Sequence, residues 1–261
     1  MSAPVIYVGC AGWNLPPHEK HRFPEHGSHL ARYAARFSAV EINSSFIQAH
    51  RPETYARWAA SVPAGFRFSV KFPKIITHER RLKNVRKMLT PFIDSVSELG
   101  DKLGALLLQL PPSFEFNRRL ATSFFKLLRT THMGTVVLEP RHATWFHASA
   151  LELSKAFGIG YVVADPAPIA GADALEAWTD IAYFRLHGSP RMYFSSYSIE
   201  YLDALAARLI SVAARGIPVW CIFDNTGMGV ATGNALDLVH ILAAQPKIRG
   251  KARRKSRRKR K

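Results

Sequence analysis

Residues 39–46 read AVEINSSF, and within that octet Val40 and Ile42 share one parity while Glu41, Asn43 and Ser45 share the other. Side chains alternate across a strand, so the stretch has one apolar face and one polar, partly charged face. In a soluble antiparallel sheet the polar face would simply meet water. The surrounding chain argues against that arrangement, because similar strands alternate with helical patterns, which is the signature of parallel strands covered by helices. The polar face of residues 39–43 is then expected to point into a barrel, and the decisive question is what Glu41 and Asn43 meet there.

Working outward, eight strands are expected: Val5–Gly9, Ala39–Asn43, Arg67–Lys71, Ala105–Leu110, Thr135–Glu139, Gly160–Ala164, Ala182–His187 and Pro218–Phe223. Amphipathic stretches lie between them at His29–Phe37, Pro52–Ser61, Pro91–Leu99, Arg118–Arg129, His147–Phe157, Ala172–Trp178 (short), Ile199–Arg215 and Asn234–Ala244. Pro52 suits a first helical position, and Gly100, Gly158 and Gly216 follow three of the helices where a left-handed cap is wanted. Eight strand-then-helix units make a (β/α)8 barrel, the α/β class often called a TIM barrel, and about 250 residues is its usual size. The weak sixth helix and the charged segment from Ile76 to Arg86 point to irregular or missing helices. No internal repeat or Pro/Gly/Ser-rich linker interrupts the pattern, so residues 1–245 read as one domain.

The chain of 261 residues is 48% hydrophobic, ample for a core, and carries a formal charge of +17. Lys247 to Lys261 alone holds 11 of the basic residues and no acidic one, leaving residues 1–246 with a net +6. Residues 246–261 are therefore read as a disordered Lys/Arg-rich tail that buries no core. Cys10 and Cys221 are too few and too far apart for a disulfide framework or a zinc motif and are expected to be reduced, buried thiols. There is neither a leader-like N-terminus nor an apolar run near the roughly 20 residues of a membrane span, so the expectation is a cytoplasmic protein without a membrane partner.

In such a barrel the functional site lies at the C-terminal strand ends. Those positions hold Cys10, Gly12 and Trp13; Glu41, Asn43 and Ser44; Lys71; Gln109; Glu139, Arg141 and His142; Asp165; Arg185 and His187; and Asp224 and Asn225. Parity supports the set: Tyr183, Arg185 and His187 oppose Phe184 and Leu186, and Arg67, Ser69 and Lys71 oppose Phe66, Phe68 and Val70. A buried ion-pair layer that merely fills the barrel is the structural alternative, since charges without partners are costly to bury. The number of ionisable groups gathered at one end favours a functional site. Glu41 and Glu139 are the carboxylate acid/base candidates and His187 the proton carrier, because an imidazole titrates near neutral pH. Lys71, Arg141 and Arg185 are expected to hold an anion, with Asn43, Asn225, Trp13 and Tyr197 as further substrate contacts and Asp165 and Asp224 at the margin.

The loop Asp224–Asn234, DNTGMGVATGN, places three glycines ahead of the last expected helix, a setting in which backbone N–H groups approach a phosphate. Carboxylates at four strand ends together with His187 resemble ligands for a divalent ion. No HxH, HExxH or clustered Cys/His spacing accompanies them, and the neighbouring cations compete, so no metal is expected and the residues assign no cofactor.

The segments VGCAGWNLP, FSAVEINSSFIQAHRPETYARWA, FRFSVKFPKIITHERRL, LGALLLQLPPSF, LEPRHATWF, YFRLHG and FDNTGMGVATGNALDL, in that order, resemble the YecE-like family, domain of unknown function number 72. The resemblance covers about residues 5–243 and implies a TIM barrel and no established activity. Its signature positions here are Gly12, Trp13, Glu41, Asn43, Phe46, Lys71, Thr77, His78, Glu79, Gln109, Pro111, Glu139, Arg141, His142, Trp145, Arg185, His187, Gly188, Tyr197 and Asn225. The family often carries an asparagine-aspartate pair after strand eight, whereas this chain has Asp224, Asn225 and Thr226. Two functions follow as expectations. One is an enzyme acting by acid/base chemistry on a small anionic, phosphorylated or sugar-like substrate. The other is a nucleic-acid-binding or nucleic-acid-processing protein assisted by the tail, which alone predicts weak, salt-sensitive binding.

Overall fold

Eight strands form as their alternation dictates: β1 (Ile6–Cys10), β2 (Ala39–Ile42), β3 (Arg67–Lys71), β4 (Leu103–Gln109), β5 (Val136–Glu139), β6 (Ile159–Asp165), β7 (Ala182–Leu186) and β8 (Val219–Phe223). The computed structural model describes residues 5–245; the expected tail, 246–261, lies outside the described residues. Every ladder is parallel, in the order β1-β8-β7-β6-β5-β4-β3-β2. The expected TIM barrel is therefore present.

Among the described residues seven α-helices surround it: α1 (His29–Ala34), α2 (Pro52–Ala60), α3 (Arg86–Ser97), α4 (Arg118–Thr131), α5 (Ala148–Ala156), α6 (Ile199–Ala213) and α7 (Val230–Ala244). The unit after β6 has only a 3-10 turn, Ala172–Ala174, where a short helix was expected. Gly100, Gly158 and Gly216 take positive φ, as their capping positions require. None of the helices among the described residues is long and apolar enough to cross a membrane.

Two helix starts differ from expectation. α3 begins five residues before Pro91, because Leu89, Phe92, Ile93 and Val96 form a buried helical stripe that extends upstream of the proline. α7 begins at Val230 with Gly229 as its cap, so Gly233 lies within the helix and not in a glycine loop ahead of it. A Cβ on Gly233 would lie 2.7 Å from Glu19 Oε1, the movable end of a flexible side chain.

The barrel closes between β1 and β2 with few ladder bonds: a single bridge pairs Ala11 with Glu41, and Gly12 N donates to Glu41 O at 2.8 Å. Side chains complete the seam. The Tyr33 hydroxyl on α1 accepts from Cys10 N (2.7 Å) and donates to Ala39 O (3.0 Å), while Ser38 Oγ accepts from Val8 N (3.1 Å). Here a side chain satisfies backbone groups that a ladder would otherwise pair. Gly9 permits the close approach, since a Cβ there would lie 1.9 Å from Ala39 O.

Parity divides the core in two. Val40, Ile42, Phe68, Val70, Leu106, Leu108, Phe184, Leu186 and Phe223 face the helices in the large outer core. Ala39, Ala105, Leu107, Val137, Val162, Ala164, Tyr183, Trp220 and Ile222 pack inside the barrel. Trp220 stacks on Tyr183 with centroids 5.7 Å apart, and the missing Cβ of Gly104 makes room for its ring. Both cysteines are unpaired and buried, and burial pushes the Cys10 thiol up to about 12.

Candidate functional site

Continuing each strand by two residues moves from apolar filling to charge on the same lumen-facing parity: Ala39 to Glu41, Val137 to Glu139, Tyr183 to Arg185, then His187. At the level of Glu41, the Arg185 guanidinium is the hub. Its Nε and Nη2 grip Glu41 Oε2 and Oε1 side-on (3.0 and 2.6 Å), Nη1 reaches Glu139 Oε2 (2.7 Å), and Nη2 also meets Asp224 Oδ2 (3.1 Å). Tyr183 donates to Glu41 Oε2 at 2.9 Å and contacts Ser69 Oγ at 2.6 Å. Glu41 and Arg185 are both fully enclosed. Burial alone disfavours the Arg185 cation, but Asp224, Glu41 and Glu139 reverse that and hold its pKa well above the usual value. Burial and the neighbouring Glu41 push Tyr183 up, which keeps its hydroxyl a neutral donor.

One layer further out, His187 lies between carboxylates at the C-terminal ends of β5 and β8. Its Nδ1 is 2.9 Å from Asp224 Oδ2. Its Nε2 is 2.9 Å from both Glu139 Oε1 and Arg141 Nη2. The ring can thus donate through Nε2 to Glu139 as an imidazolium, or accept there from Arg141 when neutral, while Nδ1–H stays on Asp224. Both protonation states are satisfied without moving a heavy atom.

Arg141 Nη2 also pairs with Glu139 Oε1 at 2.7 Å, and Gln109 Nε2 donates to that oxygen at 3.2 Å. Burial is the largest single influence on Glu139 and Asp224 and raises both. For Glu139 it is outweighed by Arg185, His187 and Arg141, and its carboxyl lies well below the usual range. Arg185 and the His187 hydrogen bond likewise lower Asp224.

This outer layer keeps open valences. Asn43 Oδ1, Arg141 Nε and Asn225 Oδ1 are buried without a hydrogen-bond partner. Asn43 Nδ2 makes a long 3.4 Å contact to Asp224 Oδ1. The ammonium of Lys71, a residue 9% exposed, has neither a salt bridge nor a hydrogen bond among the described residues; Nζ sits 4.3 Å from the centroid of the Phe46 ring. Phe46 also walls a cavity of about 430 Å3 between the loops after β2 and β3, lined by Tyr55, Met88 and Phe92 among others. No group of three or more His, Cys, Asp or Glu side chains is arranged to hold a metal ion among the described residues.

The other expected site residues lie around the cluster. Asn225 Nδ2 donates to Ser195 O (3.0 Å) and Asn234 Oδ1 (2.9 Å), tying the loop after β8 to the loop after β7. The Tyr197 hydroxyl accepts from Gly188 N and donates to Asp165 Oδ1, each at 2.8 Å. Trp13 packs edge-on against Trp58, with centroids 5.0 Å apart. Sequence reasoning missed Met192, which the loop after β7 lays over the mouth beside Tyr193: Met192 Sδ is 3.9 Å from Arg141 Nη1, and the Tyr193 ring meets His187 edge-on at 5.8 Å. A methionine in a loop carries no periodic signal that would have found it.

A parallel eight-stranded barrel with its ionisable groups gathered at the C-terminal strand ends defines a TIM-barrel protein. Within that class, the chain belongs to the family described as Protein of unknown function DUF72, whose model matches residues 7–259 and so runs past the last motif quoted above. It is 28% identical over 173 residues to the UPF0759 protein YecE of Escherichia coli O157:H7, covering 64% of this chain and 62% of that protein. The match to YecE of strain K12 spans 39% of that protein at 32% identity. UPF0759 protein YunF of Bacillus subtilis is 23% identical over 91% of this chain and 95% of its own. Among solved structures, a DUF72 protein of Thermotoga maritima superposes with a TM-score of 0.74 at 26% identity, covering 92% of this chain and 99% of that one. A D-psicose 3-epimerase of Clostridium cellulolyticum H10 shares the fold at a TM-score of 0.51 and 10% identity, over 91% of this chain and 96% of that one.

Proposed function

We propose that the protein is an enzyme that acts by acid/base chemistry on a small anionic, phosphorylated or sugar-like substrate at the C-terminal mouth of the barrel. One observation carries this reading: His187 is held so that it can gain or lose a proton at Nε2 with Glu139 or Arg141 ready as partner. Asp224 fixes the Nδ1 tautomer. Arg141 and Lys71 draw in the anion, the unfilled Nε–H of Arg141 donates to it, and the unfilled Oδ1 atoms of Asn43 and Asn225 accept from hydroxyl groups elsewhere on the substrate. Glu41 and Arg185, whose polar atoms are already used, act as positioning residues that hold Glu139 and Asp224 in place.

The test is a thermal-shift screen against phosphorylated metabolites, sugars and sugar acids. A ligand at a hundredfold excess over its Kd adds about 2.7 kcal/mol, a rise of about 5 °C or more for a chain of this size. The expected hit is lost in Arg141→Gln and His187→Ala. A shift that both variants retain removes the mouth from consideration.

A second reading rests on the charge of Lys247–Lys261. It is weak nucleic-acid binding through that run, which deletion of residues 246–261 should abolish; binding retained at physiological salt would instead give the barrel itself a nucleic-acid role.

A further inference from the structure

Three cations enter the barrel mouth, and two are neutralised: Arg185 meets three carboxylates and Arg141 meets Glu139. Lys71, at the end of β3, has no such partner among the described residues and rests its ammonium on the Phe46 ring. Burial is the main cause that lowers its pKa, and Arg185 adds to it; Glu41, Asp224 and Glu139 act in the opposite sense but do not cancel it. A desolvated lysine beside another cation is a general device for keeping an amine nucleophilic near neutral pH. Lys102, equally buried, is the internal contrast. Its Nζ donates to Pro63 O and Ala64 O, so two of its three N–H groups are engaged.

We propose that Lys71 is a nucleophile that forms a Schiff base with an anionic carbonyl compound, a phosphorylated aldose or ketose or a 2-oxo acid, bound at this mouth. This rests on the anion-binding reading above and adds the substrate's reactive group to it. The Nζ lone pair attacks the carbonyl carbon; a C–N bond forms and the C=O π electrons move to oxygen. The nitrogen's surplus proton passes to that oxygen, giving a carbinolamine. One further proton, from the His187–Glu139 unit, lets the hydroxyl leave as water, and the protonated imine remains. The step takes up one proton and releases one water, with no oxidant or reductant. The iminium then draws electrons from the neighbouring carbon, which suits proton abstraction or C–C cleavage next to the former carbonyl.

The experiment uses the full-length protein with pyridoxal 5′-phosphate, an anionic aldehyde, followed by sodium borohydride, which delivers hydride to any C=N bond, and then peptide mapping. Substoichiometric probe is expected to label Lys71 at least tenfold more than any surface lysine, to leave Lys102 unlabelled, and to be displaced by excess inorganic phosphate. Labelling spread over exposed lysines with Lys71 untouched overturns the proposal, and the wild-type map alone decides this without any variant. Lys71→Arg, checked for native circular dichroism, should lose the adduct. A phosphate-induced thermal shift that Arg141→Gln abolishes, alongside an unlabelled Lys71, would sink the amine chemistry while leaving the anion site standing; absence of both would sink the two readings together.

Discussion

At the level of Glu41 and Arg185 every polar side-chain atom has a partner, with the guanidinium, the carboxylate, Tyr183 and Ser69 forming one enclosed network. Two residues further along the same strands, at the level of Asn43 and His187, two asparagine oxygens and an arginine nitrogen have none, and a lysine lacks a counterion. The residue types are much the same; the satisfaction differs. Buried polar networks hold structure when complete, and unsatisfied buried groups in a native fold call for an explanation such as a ligand. Under the proposed function, the inner layer is a base plate and the outer layer the surface that meets substrate.

The sharpest way to break this comparison is Arg185→Met. Removing one partner of a buried ion network strands the others, here Glu41, Glu139 and Asp224, and costs about 3–5 kcal/mol. Urea unfolding at pH 7 measures it; a loss under about 1 kcal/mol would show that the inner layer is not structural. Acid gives a second test. Glu139 and Asp224 titrate below their unfolded values, so the folded state binds fewer protons, and their contribution is full above the unfolded carboxylate range near about 4 and lost as pH falls through the folded values. The contribution of these two carboxylates is therefore expected to hold from pH 7 to about 5 and to drop below about 4. In Arg185→Met the carboxyls lose their main cation and burial raises them, so the gap between variant and wild type should narrow as pH falls. Paired urea titrations that keep a constant gap would contradict the linkage.

Tyr183→Phe probes the same network more gently. It removes one donor to Glu41 and leaves ring packing on Trp220 intact, for an expected loss of about 1–2 kcal/mol in the same unfolding assay. How far this was legible in the sequence follows from the same residues. Parity along AVEINSSF, RFSVK and YFRLH put Glu41, Ser69, Lys71, Tyr183, Arg185 and His187 in the lumen, because a strand's period is 2 and one face was apolar throughout. Pairing was not legible: Arg185 reaches Glu41 across 144 positions, and only closure of the barrel decides which carboxylate each cation meets. The Tyr33 seam was invisible for the same reason. Pro91 and Gly233 misled because local start and stop signals yielded to buried helical stripes.

Arg141→Gln tests the outer layer. Glu139 keeps Arg185, His187 and Gln109 as partners, so the expected stability loss is within about 1 kcal/mol, while anion binding in the thermal-shift assay should disappear. A large destabilisation with unchanged ligand response would reverse the roles assigned to the two layers.

The smallest effect carries the opposite sign. Lys71 has a folded pKa below its unfolded one, so the folded state binds its proton less readily, and below the folded pKa this residue detracts from stability; the deficit fades as pH rises toward the ordinary lysine value. Methionine is close in length to the lysine stem and removes the amine that sits over Phe46, whose charged form burial disfavours. Lys71→Met is therefore expected to raise stability at pH 7 by about 0.5–1 kcal/mol, while the borohydride-trapped adduct is lost. Thermal unfolding of the variant beside wild type measures the first effect and peptide mapping the second. A destabilised Lys71→Met would mean that the ammonium is held by the carboxylates around it like Arg185, and the lysine would then move from the outer layer to the inner one.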